Sequence, residues 1–175
     1  MNEMIETQQT YGQLHIQHFF ETIIFTYQWW LLLVVSIGLW VIWALLVDKR
    51  RLNAILLVGL LVSLMALAFD EIGILLALWA YDYYLVPFTS KLYPVDLAIV
   101  PVFFMLLYQY VRAWKPYLLV LTLLTLFAVI VAEPLFVALD IYILLVWEHW
   151  YSAPIYILMG IFVKWLVDKV VGEKR

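Results

Sequence analysis

The chain contains no cysteine. That excludes disulfides, thiolate metal sites and cysteine nucleophiles. Charge is scarce as well, at 13% of residues, against about a quarter in soluble domains. The net charge of −3 gives no basic footprint for nucleic acid. No Ser-His-Asp order, HExxH pair, phosphate-binding glycine loop or nucleotide motif occurs. The acidic, polar start "MNEMIETQQTYGQLHIQ" lacks a basic n-region, so it does not read as a signal peptide.

What the chain has instead is apolar mass. Its 175 residues are 67% hydrophobic, with a mean hydropathy of +1.01. A core of this size cannot hide that excess, so lipid must cover much of it. Five segments reach the roughly 20 apolar residues that a helix needs to cross a bilayer. The first runs from about Ile23 to Val47; the others start near Leu52, Val95, Tyr117 and Ile155. Backbone groups in lipid must be satisfied within the segment, so these are helices. The expectation is an all-α integral membrane bundle of five transmembrane helices over 23–175. Residues 1–22 form an amphipathic lead-in at the outer interface.

Threading the chain through five spans places nine basic residues on one side: Lys49, Arg50, Arg51, Arg112, Lys115, Lys164, Lys169, Lys174 and Arg175. Only Lys91 falls on the other. The positive-inside rule then sets the N-terminus outside and the C-terminus in the cytoplasm. The tryptophans fit aromatic belts at the two interfaces, Trp79 and Trp147 among them. Lys164 is expected to snorkel to the inner interface and pair with Asp168.

Shifted by 62 residues, the second span overlies the fourth, with Ser63 on Thr125, Ala66 on Ala128 and Glu71 on Glu133. A gap of two sets Pro94 on Pro154. Helices 2–3 and 4–5 thus read as a parallel repeat. Asn53 to Glu71 is 18 steps, about 27 Å at the α-helical rise. Both glutamates therefore fall in the outer part of the membrane, yet apolar sequence continues past each. Gly73 and Pro134 stand where the helices would break or tilt sharply.

The candidate site collects on that outer side. An ionisable residue inside the bilayer is a functional hypothesis by default. Glu133, Glu71, Asp70 and Asp96 are the candidate carboxylates, with Tyr81 and Tyr93 as hydrogen-bond donors. The competing reading, a plain span end, is preferred for Asp82, Asp140 and Glu148. Adjacent helical residues point about 100° apart, so only one of Asp70 and Glu71 can face the cavity of Glu133. His15, His18 and Glu21 recur at helical spacing, and His149 could join them as a metal ligand. The simpler reading is an amphipathic helix with no metal. No cofactor is implied.

"LWAYDYYLVP", "YPVDLAIVPVFFMLLYQYVRAWK", "AEPLF" and "EHWYSAPIYI" resemble signatures of a group of small multi-spanning membrane proteins from spore-forming Gram-positive bacteria. The resemblance runs from about Asp70 to the C-terminus. It implies a bacterial plasma membrane and no activity. A fainter similarity in kind links the acids and aromatics to intramembrane sterol or carotenoid isomerases and cyclases, which protonate an alkene. No motif matches there, and no residue is carried over.

Three functions stay open. The first is a non-enzymatic accessory, sensory or ligand-binding component, whose acidic and aromatic site would bind a membrane protein partner or a lipid-like ligand. The second is a small transporter or ion pathway. The third is an intramembrane enzyme acting on a lipid or isoprenoid through paired carboxylates. The lipid bilayer is a partner in all three.

Overall fold

The computed structural model describes residues 1–172, so Lys174 and Arg175 lie outside the described part. Helix accounts for 78% of the chain, which makes the fold all-α apart from one short strand pair. Its elements are α1 (Asn2–His18), α2 (Tyr27–Leu46), α3 (Leu52–Leu75), β1 (Trp79–Tyr81), α4 (Val100–Tyr110), α5 (Trp114–Phe127), α6 (Glu133–Ala138), β2 (Tyr142–Leu144) and α7 (Ser152–Val171). A wide π-helical turn follows α1 (Phe19–Ile23), another leads into α4 (Val95–Ile99), and a third joins α5 to α6 (Ala128–Ala132).

Three stretches are long and apolar enough to cross a membrane: Tyr27–Leu46, Lys49–Leu75 and Trp114–Ala138. Val95–Tyr110 is a shorter apolar helix. α7 has 20 residues but carries Lys164, Asp168 and Lys169 in its last turns.

α3, α4, α5 and α7 form the bundle. α3 packs on α4 and α7, and α5 packs on the same two, so α3 and α5 stand diagonally opposite. Ala54, Ile55, Val58, Gly59 and Val62 of α3 make one buried stripe at helical spacing. Two glycines let neighbours close in. A Cβ on Gly59 would sit 2.6 Å from Met105 Sδ, and one on Gly160 would sit 2.7 Å from a Leu121 methyl. α2 lies outside this group with most of its surface exposed. It is tied on by the Trp40 indole, which donates to Leu97 O (3.0 Å), and by Gln109, whose amide bridges Leu46 O and the Asp48 N–H (2.9 Å each).

α1 is mostly exposed. It meets the rest at His15, whose ring stacks on Tyr84 (4.3 Å between centroids) and bonds Thr89 O (3.0 Å). Tyr84 Oη donates in return to His15 O (3.1 Å), beside a small buried cluster of Phe19, Ile23 and Tyr84.

The helix ends after the acids differ from the sequence expectation. α3 runs on through Glu71 and Gly73 to Leu75, and α6 runs through Pro134 to Ala138. Proline is accommodated because it stands in the first turn of α6, just after the π-helical turn, where its missing N–H costs little. Both helices then end in the same Schellman cap. Leu78 N–H bonds Gly73 O and Ala77 N–H bonds Ile74 O; Ile141 N–H bonds Phe136 O and Asp140 N–H bonds Val137 O. Ala77 (φ 51°) and Asp140 (φ 59°) take the left-handed positions. The chain leaves each cap as a strand. β1 and β2 pair antiparallel, Trp79 opposite Leu144 and Tyr81 opposite Tyr142. The apolar runs past the acids therefore finish the helices and then form a strand pair.

These caps superpose at a shift of 63 residues, and so do the buried positions Ala54/Tyr117, Val58/Leu121 and Val62/Thr125. The letter match at 62 is one residue out. Leucine-rich helices align at almost any shift, whereas caps and burial fix one. At 63, the partner of Glu133 is Asp70, and Glu71 falls on Pro134.

Candidate functional site

A cavity of about 220 Å³ lies in the bundle next to the strand pair. Its body is aliphatic and aromatic, with Leu107, Leu121, Leu124, Phe104 and Met159 in its walls. Its other end is lined by Asp70, Asp96 and Glu133, together with Trp79, Tyr81, Tyr142, Trp147, Ser152 and Tyr156. Phe69, Phe103 and Phe127 also line it while remaining 40%, 41% and 56% exposed on the outside of the bundle. The cavity therefore opens sideways, between helices, onto the apolar flank.

Asp70 and Asp96 stand on one side of the cavity, and Glu133 with its donors on the other. On the first side Asp70 is buried, and its Oδ1 accepts from Trp79 Nε1 (2.9 Å) and Tyr81 Oη (2.7 Å). Gly73 makes this arrangement possible. A Cβ there would lie 1.9 Å from the Trp79 ring, so only glycine lets the indole lie across α3 one turn above Asp70. Asp96 comes from the π-helical turn two residues after Pro94 and sits within hydrogen-bonding reach of Asp70. The Oδ2 atoms of Asp70 and Asp96 have no hydrogen-bond partner. A bond between two carboxyl groups needs a proton on one of them, since ionised carboxylates only accept.

On the second side Glu133 is supplied with donors. Tyr156 Oη, two residues after Pro154, donates to Oε1 (3.2 Å). His149 Nδ1 lies 3.3 Å from Oε2, and Ser152 is also within hydrogen-bonding reach. Trp147 Nε1 donates to Ser152 Oγ (3.0 Å), and the Trp147 ring meets Trp79 edge-to-face across the two halves (5.1 Å). Tyr81 and Tyr142 stack on the strand pair (5.5 Å). Burial, and then the charge and hydrogen bond of Asp70, raise the Tyr81 phenol well above its ordinary range. Burial, then Glu133 and Asp70, raise Tyr142 as well. Both therefore remain O–H donors at neutral pH.

Of the sequence candidates, Asp70, Asp96, Glu133 and Tyr81 line this one cavity. Glu71 does not: its side chain is 61% exposed and paired with Lys91. Tyr93 is half-buried and is not among the lining residues. Among the described residues no cluster of three or more His, Asp or Glu is placed to hold a metal. His15 is engaged by Tyr84 and Thr89, His18 is exposed, and His149 stands by Glu133.

The site residues that sequence reasoning passed over are Trp79, Trp147, Ser152 and Tyr156. Both indoles read as interface belt. The available signal was the repeat itself, since Asp96 and Tyr156 hold the same place after matching prolines.

Deeper in the bundle, Lys164 does not snorkel. Its side chain is fully buried and bonds Asp168 Oδ2 (3.0 Å). Its Nζ sits 5.1 Å from the Tyr108 and Tyr117 rings and 5.0 Å from Trp114. The aromatic box and the carboxylate replace water around the ammonium, which removes the drive to reach the interface.

No protein-family model, curated protein or solved structure matches the chain.

Proposed function

We propose that this chain is a five-span protein of the bacterial plasma membrane that binds a lipid-like molecule in the outer half of the bilayer, as a non-enzymatic sensory or accessory component. One observation carries the reading: an apolar cavity that opens sideways past Phe69, Phe103 and Phe127 and ends at Asp70, Asp96 and Glu133. A water-soluble ligand would call for a mouth at a polar end. A mouth on the apolar flank suits a molecule that arrives through lipid.

The placement in the membrane rests on length and charge. Val95–Tyr110 spans 16 residues, about 24 Å, and α7 spans 20, about 30 Å, so each approaches the roughly 30 Å core. The described lysines and arginines other than Lys91 gather at the end of the bundle away from the strands. That end is cytoplasmic in this reading, and the strand pair with the acids faces outward. Below the cavity, Tyr108, Tyr117 and Lys164 are packed among buried aliphatics. A closed floor of this kind favours binding over a transport route.

The test is native mass spectrometry of the protein released gently from membranes. Wild-type protein is expected to carry one apolar adduct. Ala128→Trp, which fills the cavity, is expected to lose it while remaining folded. Equal adducts on both proteins would sink the reading.

A second reading, an enzyme acting on such a molecule, is favoured by the Asp70–Asp96 contact. It puts a proton-bearing carboxyl at the cavity, with the donor-supplied Glu133 contributed by the other half of the repeat. This version expects Asp96→Asn to retain a chemically different molecule from the wild type, substrate instead of product. The same molecule in both would remove it.

A further inference from the structure

We infer that the ligand carries a positive charge: the cavity is built for an amphiphilic amine, with its hydrocarbon tail among the Phe and Leu walls and its ammonium at the carboxyl end. The inference rests on the lipid-like ligand proposed above and names its head group.

The first ground is charge. The cavity lining includes Asp70, Asp96 and Glu133 but no lysine, arginine or histidine. Among the described residues Lys91 is the one lysine or arginine at the strand end; it is paired with Glu71, and its charge reaches Asp96 from outside the cavity lining. Asp70 and Asp96 lie side by side in a dry setting, where negative charge without a close cation is costly. An ammonium supplies the missing charge.

The second ground is hydrogen bonding. Asp70 and Asp96 are more than nine-tenths buried, both line the cavity, and each has an Oδ2 with no donor from the protein. A primary ammonium has three donors and no acceptor. It can satisfy both oxygens at once, where one proton or one hydroxyl supplies a single donor.

The third ground is precedent within the chain. Lys164 shows how this fold holds an ammonium away from water, with Asp168 at 3.0 Å and the Tyr108, Trp114 and Tyr117 rings at 5.0–5.1 Å. The acid end of the cavity repeats that composition, with Asp70 and Asp96 beside Trp79, Tyr81, Tyr142 and Trp147. The ring faces favour a cation over a neutral head of the same size.

The experiment measures binding of decylamine, decanol and decanoate to the full chain in nanodiscs, by calorimetry and by thermal shift. The expected order is amine over alcohol by about 10- to 100-fold, as for hydrogen bonds to charged groups, with the carboxylate weakest. Asp96→Asn keeps the charge of Asp70 but removes one of the two open acceptor oxygens, and is expected to cut the preference for the amine several-fold while decanol binding stays; an unchanged preference would overturn the two-oxygen grip. This variant leaves Asp70 to hold Trp79 and Tyr81, so the site keeps its frame. Glu133→Gln, read the same way, is the second variant and should shrink the preference partly. Equal binding of amine and alcohol to wild type would overturn the inference while leaving an apolar ligand in place. Equal binding of all three to wild type and to Ala128→Trp would remove the cavity reading itself. A last arm separates two sources of the amine. If an ethanolamine lipid is the resident, exchanging it for a choline lipid in the nanodisc tightens decylamine binding; unchanged affinity points to a free alkylamine.

Discussion

The seat of Trp79 on Gly73 gives the sharpest mutational test, because two rules disagree on the sign. Gly73 lies inside α3, and replacing an interior helical glycine with alanine ordinarily gains about 1 kcal/mol. Here the new Cβ would lie 1.9 Å from Trp79 Cζ2, inside the ring's van der Waals envelope. The indole must move, and with it goes the 2.9 Å bond to Asp70. Overpacking costs about 1–3 kcal/mol and a lost hydrogen bond to a carboxylate about 1.5–3 kcal/mol. The losses exceed the gain, so Gly73→Ala is expected to destabilise by about 1.5–5 kcal/mol. Gly38 of α2 is the matched control, since a Cβ there meets nothing within 4 Å. Thermal unfolding in detergent, read by near-UV dichroism, should show Gly73→Ala below wild type and Gly38→Ala at or above it. In a Trp79→Leu background the cost of Gly73→Ala should shrink, as a double-mutant cycle measures. If both alanine variants behave alike, Gly73 is not the seat of Trp79 and this account of the site's frame is wrong.

Other expectations follow from the same geometry. Asp70→Leu leaves the Trp79 and Tyr81 donors unpaired in a buried place, at about 1–3 kcal/mol each; Asp70→Asn keeps an acceptor and should cost less in the same melt. Lys164→Met removes the cation from Asp168, which keeps the Tyr108 hydroxyl, and empties the aromatic box, at about 3 kcal/mol; adding Asp168→Asn should recover part of it. Burial, and then Tyr11, push the Tyr84 phenol up to about 12 from its ordinary 10.0. The stability that Tyr84 lends is therefore complete below pH 10 and is lost as pH rises through about 12. Release of α1, measured by proteolysis at its junction, should follow that range and vanish in Tyr84→Phe. The cysteine-free background permits clean labelling: a membrane-impermeant maleimide should reach Thr89→Cys on intact cells and Arg112→Cys only after lysis.

The class of fold was legible in composition, because apolar excess and scarce charge have few physical explanations. The acids were legible one by one, since a carboxylate amid leucines is costly wherever it sits. Their grouping was only half legible. Asp70 and Glu71 are neighbours, and nothing in the letters says which faces inward; the caps at Ala77 and Asp140 decide it by setting the repeat at 63. Glycine and proline misled as breakers. Gly73 serves an indole and Pro134 a helix start, roles that depend on what packs nearby rather than on local propensity. Trp79, Trp147 and Lys164 misled for a related reason. Belt and snorkel rules assume a lipid neighbour, and these side chains have protein neighbours instead.

The central claim is that a lipid-like molecule occupies the cavity with its polar end at the acids. An experimental density map of the protein in nanodiscs made from its native membrane tests this directly. The account predicts an elongated feature running from Leu107 and Leu121 to the Asp70–Asp96 pair, with its mouth at Phe103. A cavity collapsed onto its own side chains, or filled by water reaching the strand end, would contradict it.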